Sequence, residues 1–374
     1  MALTLESLTT QAQESTGLFD FGLDGWQHGL ERQLAAVPVD IGDDADALAR
    51  IETIFVDRLV KRLKISDWFT KHGEEAARGI ENPLIVIGTG RSGTTAAHYL
   101  LMNDPQFRVL RRWEAQDPAP PPDIATEHKD PRRPTSVATN TMHFRAVDGP
   151  TEDRKIHEFS FHDDGMTIGL SSYAEEWRTA DHSPAFPFHE QVLRMLQSHR
   201  PPYRWLLKSP DYMHYLSQVA AHYPTARFVM THRDPIKVIP SVCSVIVDST
   251  RQRLPNWQFD AAAFGQEKLN YFLSAIQRGM EARAIIGEHR FIDVGQPELF
   301  VDPGGVAERI YDFAGLELTP AVKDAMIKWH EASRAVERGE HKYAPEDYGL
   351  TAAGIRSAFA EYLDRYGKYC VKAV

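Results

Sequence analysis

Residues 83–102 read PLIVIGTGRSGTTAAHYLLM, and this stretch decides the fold. Residues 84–87 are all apolar and are followed at once by glycine, a pattern typical of a buried parallel strand. Helix-forming residues follow from 92 to 102. The segment therefore predicts a strand, a glycine-rich turn over 88–93 and a helix. Backbone N–H groups at the start of such a helix can hold an anion.

The same alternation of short apolar runs and helical patterns continues along the chain. Apolar runs at 203–207, 226–230 and 291–294 predict three more strands, and 260–287 predicts a long amphipathic helix. Strands that alternate with helices indicate a parallel sheet covered by helices on both faces. We therefore expect an α/β fold, a P-loop-like three-layer α/β/α arrangement with a central parallel sheet of about five strands.

Helical segments surround this predicted core. An N-terminal region and an insertion carry apolar residues at helical spacing, whereas the proline-rich stretch 117–134 predicts a loop or a mobile lid. We expect a single domain spanning 1–374. Its parts are an N-terminal helical region (1–80), the α/β core (82–117 and 203–300), a helical insertion (118–200), and C-terminal helices with a closing loop (301–374).

Composition and charge exclude several classes of protein. The 374 residues are 43 % hydrophobic and 25 % charged, which is ordinary for a globular protein, and the formal net charge of −10 argues against nucleic-acid binding. We find no signal peptide and no apolar run long enough to span a membrane, so we expect a cytoplasmic protein without an integral membrane segment. Cys243 and Cys370 are expected to be reduced, and no metal-binding pattern occurs, so we expect no catalytic metal.

The glycine-rich turn fits more than one kind of anion site. Residues 88–95 match the Gly-x-Gly-x-x-Gly spacing of dinucleotide-binding proteins and the Gly-x-x-x-x-Gly frame of a P-loop. Thr94 stands where a nucleotide-triphosphate P-loop has lysine, which argues against ATP or GTP hydrolysis. An ordinary turn before a helix is the alternative. Arg91 and the hydroxyls of Thr94 and Thr95 favour an anion site.

Two further groups follow predicted strands. Arg233 precedes Ser241 by eight positions, and a guanidinium with a hydroxyl near a helix start suits a phosphate dianion, unless Arg233 pairs with Asp234. Lys208 follows the run 203–207 and can neutralise charge on a transferred group, unless it is an exposed surface lysine. Because the carboxyl ends of parallel strands face the ligand crevice, these groups predict a ligand with two anionic ends.

Three stretches carry a family resemblance, namely PLIVIGTGRSGTTAAHYLLMNDPQFRVLRRWEAQDPAPPP (83–122), RWLLKSPDYMHYLSQVAAHYPTARFVMTHRDPIKVIPSVCSV (204–245) and HKYAPEDYGL (341–350). The chain resembles sulfotransferases that use 3′-phosphoadenosine 5′-phosphosulfate (PAPS), in particular their mycobacterial and actinobacterial branch. The resemblance implies that Arg233 and Ser241 hold the 3′-phosphate and that Lys208 faces the sulfuryl group. It also implies a loop around the 5′-phosphosulfate formed by Gly90, Arg91, Ser92, Gly93, Thr94 and Thr95, and a cofactor-closing loop with His341, Lys342 and Tyr343.

The chain also departs from the family pattern. Many members have lysine at the position of Arg91. Cytosolic relatives have a catalytic histidine two residues after the lysine that matches Lys208, and here that position is Pro210. The resemblance then implies Glu114 as the base, near the end of the second strand, because a carboxylate can accept the proton of an acceptor hydroxyl. The alternative for Glu114 is an ion pair with a neighbouring arginine, and His157 is a rival base.

The implied reaction moves a sulfuryl group from PAPS to an acceptor hydroxyl or amine by in-line displacement, releasing adenosine 3′,5′-bisphosphate without a metal. Aromatic residues in the insertion suit a partly apolar small-molecule acceptor, such as a phenol, or a lipid or glycolipid, unless they belong to the core. Two alternatives stay open, an NAD(P)-dependent oxidoreductase and a non-catalytic nucleotide-binding protein. The oxidoreductase needs an acid on the ribose, and Glu114 lies at the right distance after Gly93. The sequence does not fix the oligomeric state, and a homo-oligomer stays open.

Overall fold

Two compact units make up the protein. The computed structural model describes residues 3–76, 78–136, 146–253, 258–335 and 343–371. The first unit, called here the helical unit, comprises 1–81, 110–135 and 151–203, and the second, called the sheet unit, comprises 82–109, 136–150 and 204–374. The helical unit therefore gathers most of the predicted N-terminal region and of the predicted insertion. The expectation of a single domain stays a prediction.

The sheet unit is built on five parallel strands. Their bounds are β1 Leu84–Ile87, β2 Phe107–Val109, β3 Arg204–Lys208, β4 Arg227–His232 and β5 Phe291–Gly295. Their order across the sheet is β2-β3-β1-β4-β5, and every neighbouring pair is parallel. This confirms the predicted α/β fold with a P-loop-like central sheet. Apolar runs in the sequence predicted four of these strands. Strand β2 was not among them, because it is only three residues long and one of the three is charged.

The helices are numbered along the whole chain. Those of the helical unit are α1 Leu5–Thr16, α2 Trp26–Asp40, α3 Ala45–His72, α5 Arg112–Gln116, α6 Ser171–Trp177 and α7 Phe186–Gln197. Those of the sheet unit are α4 Thr94–Leu101, α8 Leu216–His222, α9 Pro235–Arg253, α10 Ala261–Ile286, α11 Gln296–Val301, α12 Pro303–Ala314, α13 Pro320–Ala335, α14 Ala352–Ala358 and α15 Ala360–Cys370. Short 3-10 helices lie at Gly73–Ala76, Glu127–Lys129, Asp153–Ser160, Met166–Ile168, Ser183–Ala185, Pro210–His214, Glu288–Arg290 and Pro345–Tyr348.

The strand register places alternate residues on opposite faces of the sheet. Leu84 pairs with Leu206, and Val86 pairs with Val229, and these side chains share one apolar core with α4, α12 and α13. On the opposite face, α10 and α15 pack against the sheet: Arg283 of α10 reaches Met230, and Tyr362 of α15 reaches His232. Helices thus cover both faces, as predicted.

A buried ion pair ties the helical unit together. Arg58 of α3 donates through both terminal nitrogens to the carboxylate of Asp163, at 3.0 and 3.1 Å, and Gln33 of α2 donates to the same carboxylate at 2.9 Å. Burial alone would raise the pKa of Asp163, but Arg58 and Gln33 lower it. A charge removed from water in this way stays stable only when it is paired and hydrogen-bonded.

The proline-rich stretch 117–134 is irregular, as predicted, apart from one three-residue 3-10 helix. Hydrogen bonds of Arg132 also hold the stretch in place within the helical unit. The Arg132 guanidinium donates to the carbonyls of Asp117 and Pro120 and to the carboxylate of Asp130, and it lies over the ring of Trp113. Within the described ranges, none of the helices combines the length and apolar character that crossing a bilayer requires.

Truncation of Leu206 tests the core of the sheet. Leu206 is fully buried on β3, between β1 and β2. We expect Leu206→Ala to lower the free energy of unfolding of the sheet unit by about 2–5 kcal/mol, because it leaves a cavity in close-packed surroundings. Chemical denaturation measures this, with Val301→Ala as the control since Val301 is 70 % exposed. Equal stability of the two variants would contradict this view of the core.

Candidate functional site

The turn between β1 and α4 needs glycine at its start. Gly88 has φ +133°, and a Cβ on it would lie 2.6 Å from both the carbonyl oxygen and the hydroxyl of Thr231 at the end of β4. Gly93, just before α4, has φ +107°. Arg91 also lies in the left-handed region, with φ +68°, where non-glycine residues are uncommon. The backbone is thus folded tightly against β4, and its N–H groups at the helix start are available to an anion.

Hydroxyl groups hold the turn in this shape. The Ser92 Oγ lies 2.6 Å from the carbonyl oxygen of Thr89, to which it donates, and 2.7 Å from the Oγ1 of Thr231. Ser92 and Thr231 are both buried. Sequence reasoning assigned Ser92 to the anion loop and missed Thr231. The signal that could have identified Thr231 is its place at the end of a predicted strand, two residues before Arg233.

Arg91, Ser241 and Arg233 meet at this turn. The Nε of Arg91 donates to the Oγ of Ser241 at 3.1 Å, and Arg233 donates from its Nη1 to the backbone carbonyl of Arg91 at 3.1 Å. The Nε of Arg233 is buried and has no hydrogen-bond partner. The structure therefore brings together, within one unit, two cations and a hydroxyl from sequence positions up to 150 residues apart.

His232 fixes the strand end that carries Arg233. One ring nitrogen of His232 lies 2.8 Å from a carboxylate oxygen of Asp293 on β5, and the other lies 3.0 Å from the hydroxyl of Tyr362 on α15. The His232 ring also stacks on Tyr366. Burial would raise the pKa of Asp293, but His232 and Arg283 lower it to about 2. The neighbouring strand and the C-terminal helix thus hold the backbone next to Arg233.

Lys208 lies on the α4 side of the sheet, next to the turn. It ends β3 in register with Val86 and is buried, and its Nζ is 3.5 Å from the Oγ1 of Thr95 at the start of α4. Thr94 is buried at the same helix start. The predicted loop residues and the predicted lysine therefore occupy one corner of the sheet unit. Positive charge, hydroxyls and a helix N-terminus together suit phosphate or sulfate oxygens.

The two predicted bases, Glu114 and His157, lie in the helical unit. Glu114 is fully buried on α5, and one carboxylate oxygen accepts from an Arg111 guanidinium nitrogen at 2.6 Å while the other accepts from the Arg111 backbone N–H at 3.0 Å. The ion pair weighed as the alternative for Glu114 is therefore present.

His157 is a buried residue of the 3-10 helix 153–160. Its ring packs edge-on against Phe186, 5.0 Å between centroids, and lies 5.1 Å from the ring of His189. Burial, and next the charge of His189, hold the pKa of His157 well below its usual 6.5, so the neutral ring predominates at pH 7. Burial likewise lowers the pKa of His162 to about 4.

The remaining predictions concern the C-terminal loop, the cysteines and metals. Tyr343 is half-buried, whereas His341 and Lys342 lie outside the described residues. Both cysteines are free and buried, and burial raises the pKa of Cys243 to about 12. In the described part of the chain, no three His, Cys, Asp or Glu side chains group in a way that could hold a metal ion.

Comparisons with known proteins identify the family. A sequence profile of the sulfotransferase family matches residues 83–320, which span β1 to the start of α13. The chain belongs to the sulfotransferase family. The turn after β1, Lys208, Arg233 and Ser241 all fall within the matched region of this sulfotransferase. The family match disfavours the oxidoreductase alternative for the glycine-rich turn.

Two solved structures are similar to this sulfotransferase over almost its whole length. The crystal structure of sulfotransferase STF9 from Mycobacterium avium shares 30 % sequence identity, with a TM-score of 0.84, covering 97 % of this chain and 96 % of that one. Sulfotransferase STF1 from Mycobacterium tuberculosis H37Rv shares 26 % identity, with a TM-score of 0.79, covering 96 % and 99 %. The resemblance to mycobacterial sulfotransferases is thereby confirmed. Comparison with curated protein sequences gives no match.

A pair of glycine substitutions tests the turn. We expect Gly88→Ala to lower the free energy of unfolding by roughly 2–4 kcal/mol, because the new Cβ meets Thr231 in a backbone conformation that favours glycine. Gly90→Ala is the matched control. Its Cβ would find no heavy atom closer than 3.8 Å, so its stability should stay within about 1 kcal/mol of the parent. Thermal denaturation compares the two, and a Gly88→Ala protein as stable as Gly90→Ala would contradict the geometry.

Proposed function

We propose that this sulfotransferase uses PAPS as its sulfuryl donor and transfers the group to an acceptor hydroxyl or amine. The observation that carries the proposal is the joining of Arg91, Arg233 and Ser241 at the turn after β1, with Lys208 at the neighbouring strand end. A ligand with a phosphosulfate at one end and a phosphate at the other would present anionic oxygens to these cations. The unpartnered Nε of Arg233 leaves a buried donor for a phosphate oxygen.

Each group has a proposed task. Gly90, Ser92, Gly93, Thr94 and Thr95 hold the 5′-phosphosulfate with Arg91, and Arg233 with Ser241 holds the 3′-phosphate. The donor supplies a sulfuryl group on a phosphate leaving group. Lys208 offsets the negative charge that grows on the leaving oxygen, the role that fixed cations perform best in a site closed to water. We also propose that His341, Lys342 and Tyr343 close over the donor.

Glu114 is the proposed base. Its buried carboxylate takes the proton of the acceptor hydroxyl as the new sulfur–oxygen bond forms and the bond to the leaving phosphate breaks. His157, neutral because of its burial, is the rival for the same task. The acceptor is a small molecule, and we propose a partly apolar one, such as a phenol, lipid or glycolipid. Free, buried cysteines suit a cytoplasmic location.

Titration with adenosine 3′,5′-bisphosphate tests the donor. We expect micromolar or tighter binding by calorimetry, much weaker binding of 5′-AMP, ATP and NAD, and a loss of about 10- to 100-fold in Arg233→Ala, since a charged hydrogen-bonding group disappears. Arg309→Ala is the matched control, because the Arg309 side chain on α12 is 44 % exposed and pairs with Glu298. Preference for NAD, or equal losses in both variants, would refute the proposal of PAPS as donor.

Glu114→Gln tests the base. With ³⁵S-labelled PAPS and a panel of phenol, sugar and lipid hydroxyls, we expect kcat to fall about 10²- to 10⁴-fold, because the amide cannot accept the proton, while bisphosphate affinity stays unchanged. Glu176→Gln, at an exposed surface pair with Arg32, should retain full kcat. A large loss in His157→Gln together with normal turnover in Glu114→Gln would assign the base to His157 instead.

A further inference from the structure

Three charged side chains surround the proposed base, and together with it they form a cluster called here the Arg–Glu quartet (Arg111, Glu114, Glu127 and Arg200). One guanidinium nitrogen of Arg111 donates to Glu114 at 2.6 Å and to Glu127 at 2.7 Å. Arg200, just after α7, forms an ion pair with Glu127, and its guanidinium lies 4.0 Å from Glu114. Both carboxylates therefore share both arginines.

The quartet is shielded from solvent. Glu114 is fully buried, and the side chains of Arg111, Arg200 and Glu127 are 9, 6 and 22 % exposed. Arg111 also lies over the ring of Trp113, with its guanidinium carbon 4.5 Å from the centroid. Because charges interact strongly where water is excluded, each member of the quartet affects the charge of the others. Burial alone would lower the pKa of Arg111, but Glu114 and Glu127 raise it above its usual value.

Glu127 reaches the quartet from the proline-rich stretch 117–134. It begins the 3-10 helix of that stretch, and Arg132 fastens the same stretch through the carbonyls of Asp117 and Pro120. Burial would raise the pKa of Glu127, but Arg111 and Arg200 lower it, so it carries a full negative charge at neutral pH. The stretch therefore supplies one of the two negative charges of the quartet.

The charges balance in pairs. With Glu127 present, two arginines face two carboxylates and the quartet is formally neutral. Without Glu127, the positive charge of Arg111 and Arg200 would be less compensated. The Glu114 carboxylate would then hold its charge more firmly and be a weaker base. The 3-10 helix 153–160 also packs against α5 and contributes His157, which burial keeps neutral. Arg111, Arg200 and Glu127 are thus charged groups that affect how readily Glu114 accepts a proton. Asp130 also faces Arg111, and it is itself paired with Arg132.

We propose that Glu127 and Arg200 are positioning residues that set the proton affinity of Glu114, and that the proline-rich stretch 117–134 thereby controls the strength of the base. The proposal rests on the proposed role of Glu114. In this proposal, the stretch affects the chemical step through the charge of Glu127, which does not contact the reacting atoms.

Charge-neutralising variants of similar size test the proposal, because they act in opposite directions. In full-length protein labelled with ¹³Cδ-glutamate, the Glu114 resonance is assigned as the one missing from Glu114→Gln, and its titration is followed by NMR. Glu127→Gln should move the titration midpoint down by about one pH unit or more, and Arg200→Gln should move it up by a similar amount. Glu127→Asp keeps the charge and should restore most of the parent midpoint.

Loosening of the structure would not produce this result, since it would move both midpoints in the same direction. Shifts in one direction, or no shift in either variant, would overturn the proposal. The role of Glu114 is tested separately by the kcat of Glu114→Gln with ³⁵S-labelled PAPS. A large loss of kcat in Glu114→Gln, with unmoved titration midpoints in Glu127→Gln and Arg200→Gln, overturns only the proposed effect of Glu127 and Arg200 on Glu114. Full kcat in Glu114→Gln shows that Glu114 is not the base, and the quartet then has no part in catalysis.

Discussion

The close approach of the turn after β1 to the end of β4 is the constraint on which the candidate site depends. Gly88 permits the approach, since a side chain there would overlap Thr231, and the Ser92 and Thr231 hydroxyls hold it. The approach brings the segment of Arg91 next to the segment of Arg233 and Ser241. Sheet order makes this possible, because β1 and β4 are direct neighbours although more than 130 residues separate them in sequence.

Charge is arranged differently in the two units. In the sheet unit, Arg91 and Lys208 contact hydroxyl oxygens, and Arg233 contacts a backbone carbonyl oxygen. In the helical unit, Arg111 and Arg200 contact carboxylates, and their charge is compensated within the protein. The first arrangement suits binding of a charged donor. The second suits the control of a single proton acceptor, since buried charges stay in place only when paired.

Much of the fold could be read from the sequence, because buried parallel strands are continuous apolar runs. Leu84–Ile87 and Arg227–His232 lie where the apolar runs indicated them, within two residues. Strand β2 has only three residues, one of them Arg108, so local pattern gives little sign of it. The anion-site residues were recognisable because motifs mark strand ends. Thr231 was not singled out, since its role arises from contacts with the turn after β1, such as the contact with Ser92, 139 positions earlier.

The partners of Glu114 also show that sequence patterns do not reveal contacts between distant segments. Arg111 lies within one helical turn and was foreseeable, whereas Arg200 and Glu127 come from distant segments that no periodicity connects. A proline-rich stretch is expected to be irregular, but its sequence does not reveal what it touches. Ion pairs between remote segments depend on tertiary structure, so the contacts of Arg200 with Glu114 and Glu127 could not be predicted from the sequence.

The contacts that hold the His232 ring have a consequence for helix α15. Tyr362 and Tyr366 belong to the last helix, and they fix the backbone beside Arg233 through the His232 ring. Helix α15 therefore supports the candidate anion site from a distance, since Tyr362 follows His232 by 130 positions. Removal of α15 would release the backbone beside Arg233 without deleting any residue that we propose to contact the donor. The proposed donor site thus depends on a helix that does not line it.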